Sequence, residues 1–163
     1  MEESIATEWS AFTVPVDDRF FDDYRPGISV RYGHELVTES DVLRFAREFD
    51  PQTIHTDPSA AASGPFAGLI ASGWHTTAIM MRVFATQFLN DAASLASPGV
   101  DELRWLRPVR PGDTLAVRFT IVSARVSTSK PDRGIVHTNV EMLNQDDEPV
   151  LTMTAMNMLR RRQ

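Results

Sequence analysis

Two residues five positions apart, Asp50 and His55, are the strongest candidates for chemistry in this sequence. A carboxylate and an imidazole that share one pocket can hold a water molecule between them and move its proton. Asp50 must be ionised to serve as a base, and a hydrogen-bonding His55 nearby would favour that charged form. The spacing alone favours a simpler interpretation, in which Asp50 caps local amides and His55 lies on a surface loop.

His75 is the other histidine near a potential site, because it lies one turn into the longest helical pattern, beside Trp74. Its simplest interpretation is a polar residue near a helix start. A metal site built from His55, His75 and an aspartate would need one of the usual ligand spacings, and none occurs, so we expect no metal and no cofactor. The sequence contains no cysteine, which excludes disulfides, cysteine-based zinc sites and thiol nucleophiles.

The segment from Gly68 to Trp74 leads into that helix, with Gly73 at its predicted start. Free N–H groups at a helix start, with a glycine that permits close approach, can stabilise an oxyanion. The alternative is a tight turn that only lets the helix enter the core. Ser72 does not lie in a G-x-S-x-G pattern, which argues against a serine hydrolase.

The elements around the two candidates predict a loop held at both ends. A helix begins after Thr38 and has apolar residues at helical spacing along one face. It ends near Asp50, because Pro51 disfavours helical geometry in the residue before it. The residues from Pro51 to Thr56 are predicted as a loop. Asp57 then caps a short helix over residues 58–63, which has proline at its first position.

The rest of the chain predicts one long helix and a sheet. A short strand over residues 31–37 comes first, and the longest helix runs from Ser72 to about Asn90. That helix is apolar nearly all round, which predicts that it is buried. From residue 98 onward, period-two alternation and turn residues predict three or four antiparallel strands, with residues 150–159 as an interior strand. This order predicts the α+β class and a single hotdog fold, an antiparallel sheet wrapped around a long central helix.

Composition limits the partners and the organisation of the chain. Its 163 residues suit one domain, which we divide into an N-terminal arm, residues 1–20, and a folded domain, residues 21–163. We expect Trp9, Phe12 and Val14 to attach the arm. The net charge of −6 argues against a nucleic-acid partner, because a phosphate backbone attracts a basic face. No apolar run approaches the ~20 residues that span a bilayer, so we expect no membrane partner and a cytoplasmic location.

Three segments together resemble the MaoC-like dehydratases, a family that includes the (R)-specific enoyl-CoA hydratases. In that family the hydratase motif has a histidine five positions after its aspartate, a spacing that this sequence keeps. The resemblance extends from about Tyr24 to Arg162. The segments that carry it are Phe45–Pro58, Gly68–His75 and Arg107–Thr114.

The resemblance implies a reaction and a set of roles. Asp50 and His55 together activate water, and the Gly73 amide polarises a thioester carbonyl. Water then adds reversibly across the 2,3 double bond of an enoyl-CoA. The expected partners are the acyl-CoA substrate and further copies of this chain, in a homodimer or higher homo-oligomer. The residues expected to bind substrate are Ile54, Ser72, Trp74, His75 and Met81.

Two departures from the family pattern leave other functions open. Pro51 and Gln52 replace the usual x-Asn-Pro order, and residues 79–81 lack the serine that many members carry on the central helix. One alternative is a hotdog thioesterase, although such enzymes often place an acidic residue on this helix and none occurs over residues 74–90. The other alternative is a non-catalytic hotdog protein that only binds acyl thioesters.

Overall fold

One antiparallel sheet and one long helix form the framework of the molecule. The computed structural model describes residues 11–163. The strands are β1 (Ser29–Leu36), β2 (Ser94–Trp105), β3 (Thr114–Val126), β4 (Arg133–Leu143) and β5 (Pro149–Arg160). The helices are α1 (Glu39–Phe49), α2 (Thr53–Thr56), α3 (Pro58–Ala62) and α4 (Gly73–Val83). The strands pair in the order β1-β3-β4-β5-β2 and pack against α4, so the predicted α+β hotdog arrangement is confirmed.

Helices α1 and α3 begin and end where the local sequence predicts. The Thr38 hydroxyl accepts a backbone hydrogen bond at the start of α1, and Asp50 is the residue that ends this helix. The Asp57 carboxylate caps α3 in the same way. The prediction of a loop over residues 51–56 is wrong in part, because four of them form the helical turn α2. A single turn is too short to show apolar periodicity, so the sequence pattern does not reveal it.

Helix α4 is buried on one side only. A π-helical turn, Phe84–Phe88, continues it, and the Phe84 ring stacks on Phe119 of β3 with 5.0 Å between the centroids. The prediction that this helix is buried is confirmed for the side that faces the sheet, whereas on the other side Trp74 is 58% exposed and Met81 is 45% exposed. A helix that is apolar on every side gives no sequence signal for which side the sheet will cover.

The sheet has a long exposed strand at one edge. Strand β5 lies between β4 and β2 and is an interior strand, as predicted. Strand β2 forms the edge beside it, and most of its residues are exposed. Its pairing with β5 contains three register shifts. An edge of this length presents unpaired backbone groups on which a further strand could pair.

The described part of the predicted N-terminal arm, residues 11–20, packs against the π-helical turn. The Phe12 ring lies edge-on to Phe88, with 5.5 Å between the centroids. The buried guanidinium of Arg19 lies over Phe12 and donates to two backbone carbonyls of that turn. Phe12 therefore makes the attachment expected of it, whereas Trp9 lies outside the described residues. The division of the chain at residue 20 stays a prediction.

Candidate active site

Asp50 and His55 face each other across the turn between two helices. Asp50 ends α1, and His55 lies in α2. The chain reverses between them, which leaves 3.5 Å between Asp50 Oδ2 and His55 Nε2. The aspartate side chain is 17% exposed and the histidine side chain 7%, so the pair is largely shielded from solvent. One water molecule can contact both atoms at ordinary hydrogen-bond distances of about 2.8 Å.

A backbone contact sets the tautomer of His55. Its Nδ1 atom lies 2.8 Å from the carbonyl oxygen of Ile70, fifteen residues further along the chain. A carbonyl oxygen only accepts hydrogen bonds, so Nδ1 carries a hydrogen and donates it. The Nε2 atom, which faces Asp50, is then the ring nitrogen that gains or loses a proton. This arrangement suits acid–base chemistry on a water held beside the pair.

Two side-chain donors hold the Asp50 carboxylate in its charged form. The Ser72 hydroxyl donates to Oδ2 at 2.6 Å, and the Gln52 amide donates to Oδ1 at 2.7 Å. The hydrogen bond from Ser72 is the largest cause that lowers the pKa of Asp50 below its ordinary value. The bond from Gln52 and the proximity of His55 act in the same direction, against the effect of partial burial. Asp50 is therefore ionised at neutral pH.

Ser72 connects this carboxylate to the start of α4. Its hydroxyl accepts the Trp74 N–H at 3.2 Å as the N-cap of the helix, while it donates to Asp50. The next residue is Gly73, whose N–H has no acceptor within the helix, as is usual for the first turn. The positive end of the helix dipole lies at the same place. The amino end of α4 therefore offers a donor for developing negative charge close to the Asp50–His55 pair.

The side chain of Trp105 lies directly against Gly73. A Cβ atom added to Gly73 would come within 2.5 Å of the indole ring, so any other residue at this position would displace the ring. The sequence predicted that this glycine permits close approach of a ligand. The structure shows a second reason for it, the approach of an aromatic side chain from the end of β2.

An apolar cavity of about 290 Å³ opens beside His55 and Gly73. A second cavity, of about 310 Å³, lies further along α4 and has an almost entirely apolar lining. Other residues lining the first include Ile70, Thr76, Trp105, Arg107, Val109 and Val150. Those lining the second include Trp74, Thr77, Met81, Phe84, Val100 and Met153.

The residues predicted to bind substrate separate into two groups. Trp74 and Met81 line the second cavity, whereas Ile54, Ser72 and His75 line neither cavity.

His75 is instead buried between α4 and α1, where its ring stacks on Phe45 with 4.8 Å between the centroids. Burial lowers its pKa, and its Nδ1 atom has no hydrogen-bond partner in the described part of the chain. It is therefore a neutral packing residue in this structure.

Two contributors to the site escape sequence reasoning. The sequence shows Gln52 only as a departure from the family pattern, whereas in the structure its amide donates a hydrogen bond to Asp50. No sequence pattern indicates a role for Trp105. The chain has only three tryptophans, and this rarity is the sequence signal that could have drawn attention to Trp105. Two of the three, Trp74 and Trp105, are in contact at the site.

Residues 11–163 contain neither a candidate metal site nor a membrane-spanning helix. No group of three or more histidine, aspartate or glutamate side chains in this range is placed to hold a metal ion. No helix in the same range is long and apolar enough to cross a membrane.

The fold and the site define a hotdog protein with a carboxylate–imidazole pair beside an apolar cavity. Residues 24–142 match the family model described as MaoC like domain. The match covers more than half of the chain and includes the pair, the amino end of α4 and most of the sheet. The chain therefore belongs to the MaoC-like dehydratase family.

Similar proteins in three bacteria agree with this assignment. A MaoC-like dehydratase from Rhodospirillum rubrum is 41% identical in its solved structure, with a TM-score of 0.83 over 89% of this chain and 99% of that one. The uncharacterized protein YdeM of Bacillus subtilis is 35% identical over 70% of this chain and 79% of its own length. The 3-hydroxyacyl-thioester dehydratase Z of Mycobacterium tuberculosis is 31% identical over 65% of this chain and 72% of its own.

Proposed function

We propose that the protein is a hydratase or dehydratase that adds water reversibly across the 2,3 double bond of an enoyl-CoA. The observation that carries the proposal is the distance of 3.5 Å between Asp50 Oδ2 and His55 Nε2, with the histidine tautomer set by Ile70. The apolar cavity beside His55 suits an acyl group. The relative that is named a 3-hydroxyacyl-thioester dehydratase supports a thioester as the substrate.

The proposed reaction uses the pair and the amino end of α4 together. The water oxygen bonds to C3 of the enoyl group as the Asp50–His55 pair takes one of its protons. The π electrons of the double bond move toward the thioester carbonyl, whose oxygen gains negative charge. The Gly73 N–H and the helix dipole stabilise that oxygen. The pair then delivers a proton to C2, which restores its starting protonation state and completes hydration.

Crotonyl-CoA provides the direct assay. Loss of the enoyl absorbance without release of free thiol is the result expected of a hydratase. Asp50→Asn should lower kcat by roughly 10²–10⁴, the usual scale for acid–base catalysis, and should leave the circular dichroism spectrum unchanged. Asp57→Asn is a matched control, because it makes the same chemical change in a neighbouring carboxylate that only caps α3.

Other outcomes of this assay point to other functions. Release of free thiol would identify a thioesterase. Binding of acyl-CoA without any turnover, across enoyl groups of several lengths, would identify a non-catalytic binder. Near-normal activity of Asp50→Asn would remove Asp50 from the mechanism even if hydration occurs.

We also propose that the protein assembles as a homodimer or a higher homo-oligomer. The exposed edge strand β2 can pair with a second copy of itself, which would satisfy its free backbone groups. Exposed apolar side chains lie beside that edge, on β2 and on the uncovered side of α4: Trp74, Met81, Val100 and Trp105. A surface of this kind favours association. Light scattering should give at least twice the monomer mass, and a monomer would contradict the proposal.

A further inference from the structure

The two cavities along α4 are neighbours, because residues within 73–77 of the helix contribute to both. Gly73 and Thr76 line the first cavity, which also reaches His55. Trp74 and Thr77 line the second. Substrate held with its thioester at Gly73 would therefore lie within one helical turn of the second cavity.

The indole of Trp105 stands between the cavities. It lines the first cavity on one side. On the other side it meets two residues of the second cavity: its ring packs edge-on to Trp74, with 5.2 Å between the centroids, and its Nε1–H donates to the Thr77 hydroxyl at 3.2 Å. The ring also packs closely against Gly73. These three contacts hold the ring in one orientation although the side chain is nearly half exposed.

Both cavities have linings that suit an acyl group. The first cavity is lined mainly by apolar side chains beside His55, and it suits a short acyl group. The second cavity is walled by Met81, Phe84 and Met153 and suits an alkyl chain. An alkyl chain that runs from Gly73 toward this second cavity meets the Trp105 ring, which contacts Gly73 and two residues of the second cavity.

We propose that the Trp105 indole, held by Thr77 and Trp74, is the wall that ends the acyl pocket and restricts the enzyme to short acyl chains. This inference rests on the proposed function, because it names the substrate class of the same site. With the ring in place, the acyl group has only the first cavity. If the ring is removed, we expect the two cavities, of about 290 and 310 Å³, to join and so to roughly double the space open to an acyl chain.

The test compares substrates that differ only in chain length. The kcat/KM for hydration is measured with trans-2-enoyl-CoA substrates of four, eight and twelve carbons. For Trp105→Ala we expect the ratio of the twelve-carbon to the four-carbon value to rise at least about 10-fold over wild type, since even single methylenes change binding in an apolar pocket by such factors. Thr77→Val keeps the indole but removes its hydrogen bond, so it should raise the ratio by a smaller factor.

Val122→Ala is the control, because it removes exposed apolar surface on β3 outside both cavities and should leave the ratio unchanged. The affinities of saturated acyl-CoAs of the same three lengths are measured in parallel by calorimetry. This second readout needs no turnover, so it separates the two proposals.

The combination of activity and binding results shows which of the two proposals fails. If Trp105→Ala abolishes the length selection in binding but no variant hydrates an enoyl-CoA, the proposed function is rejected and the role of Trp105 as the wall is kept. If the protein hydrates enoyl-CoA but neither Trp105→Ala nor Thr77→Val changes the ratio of the twelve-carbon to the four-carbon kcat/KM, the wall is rejected and the proposed function is kept. If Trp105→Ala does not fold, as judged by circular dichroism, Thr77→Val and Trp105→Phe carry the same test. Failure to bind any acyl-CoA overturns both proposals.

Discussion

Replacing Ser72 with alanine removes two hydrogen bonds that serve different purposes. The hydroxyl donates to Asp50 Oδ2 at 2.6 Å, and it accepts the Trp74 N–H at the start of α4. The first bond is the largest cause that lowers the pKa of Asp50. The second is a helix cap. The variant therefore tests whether the capping residue of the central helix also tunes the proposed catalytic carboxylate.

The cost in stability follows from the two bonds. A lost N-cap costs about 1 kcal/mol, and a lost hydrogen bond to a charged group costs about 1.5–3 kcal/mol. Because Ser72 is almost fully buried, we expect a total of about 3 kcal/mol. For a domain of this size that corresponds to a fall in Tm of roughly 6–12 °C.

The sign of the pH dependence separates the two contributions. The pKa of Asp50 is lowered in the folded protein, so its charged form stabilises the fold above the ordinary aspartate pKa. That stabilisation is lost as the pH falls through the folded pKa. The Tm difference between wild type and Ser72→Ala should therefore shrink toward acid pH and leave only the cap contribution.

The activity should show the same shift. Without the Ser72 bond the pKa of Asp50 rises toward its ordinary value, so the acid limb of kcat/KM for crotonyl-CoA should move to higher pH. The profile is recorded from roughly pH 3.5, below the ordinary aspartate pKa, up to neutrality. Circular dichroism shows over which part of that range the variant is folded.

Thr38→Ala is a closely matched control. The Thr38 hydroxyl also caps a helix, by accepting the Asp41 N–H, and it donates to the Asp41 carboxylate at 2.7 Å. This variant should lose stability without moving the acid limb. An unmoved acid limb in Ser72→Ala, together with the expected loss of Tm, would refute the coupling between the cap and Asp50.

Two further variants probe the amino end of α4 and the edge of the sheet. Gly73→Ala places a Cβ within 2.5 Å of the Trp105 ring. The indole must move, so we expect a loss of about 1–3 kcal/mol in thermal unfolding and altered tryptophan fluorescence; an unchanged spectrum would contradict the close packing. Val100→Asp introduces a charge among the exposed apolar side chains of β2, and it should convert the proposed oligomer to monomers in light scattering. A variant that keeps the wild-type mass would place the interface elsewhere.

Local signals in the sequence are sufficient to predict most of the helices and strands. The caps at Thr38 and Asp57 bond to amides within three residues, and Pro51 acts on the residue before it, so short windows of sequence contain the cause of each helix end. The alternation of apolar residues in β3 to β5 is equally local. The fold class follows from the order of these elements.

The detailed geometry of the site depends on contacts that no short window contains. His55 obtains its tautomer from Ile70, and Asp50 obtains its strongest donor from Ser72, twenty-two residues away. Trp105 reaches Gly73 from the far end of β2, in a segment with no periodic relation to α4. Side chains meet at such distances only because the whole chain is folded, so sequence spacing did not indicate the contacts.

The central claim is that Asp50 and His55 act as one unit on one water. Hydration of crotonyl-CoA by Asp50→Asn, His55→Ala and the double variant tests it directly. Residues that act as a unit have strongly non-additive effects. We expect each single change to lower kcat by roughly 10²–10⁴ and the double variant to be no slower than the slower single one, within about threefold. A double variant whose loss equals the product of the two single losses would show that the residues act independently, and would contradict this mechanism.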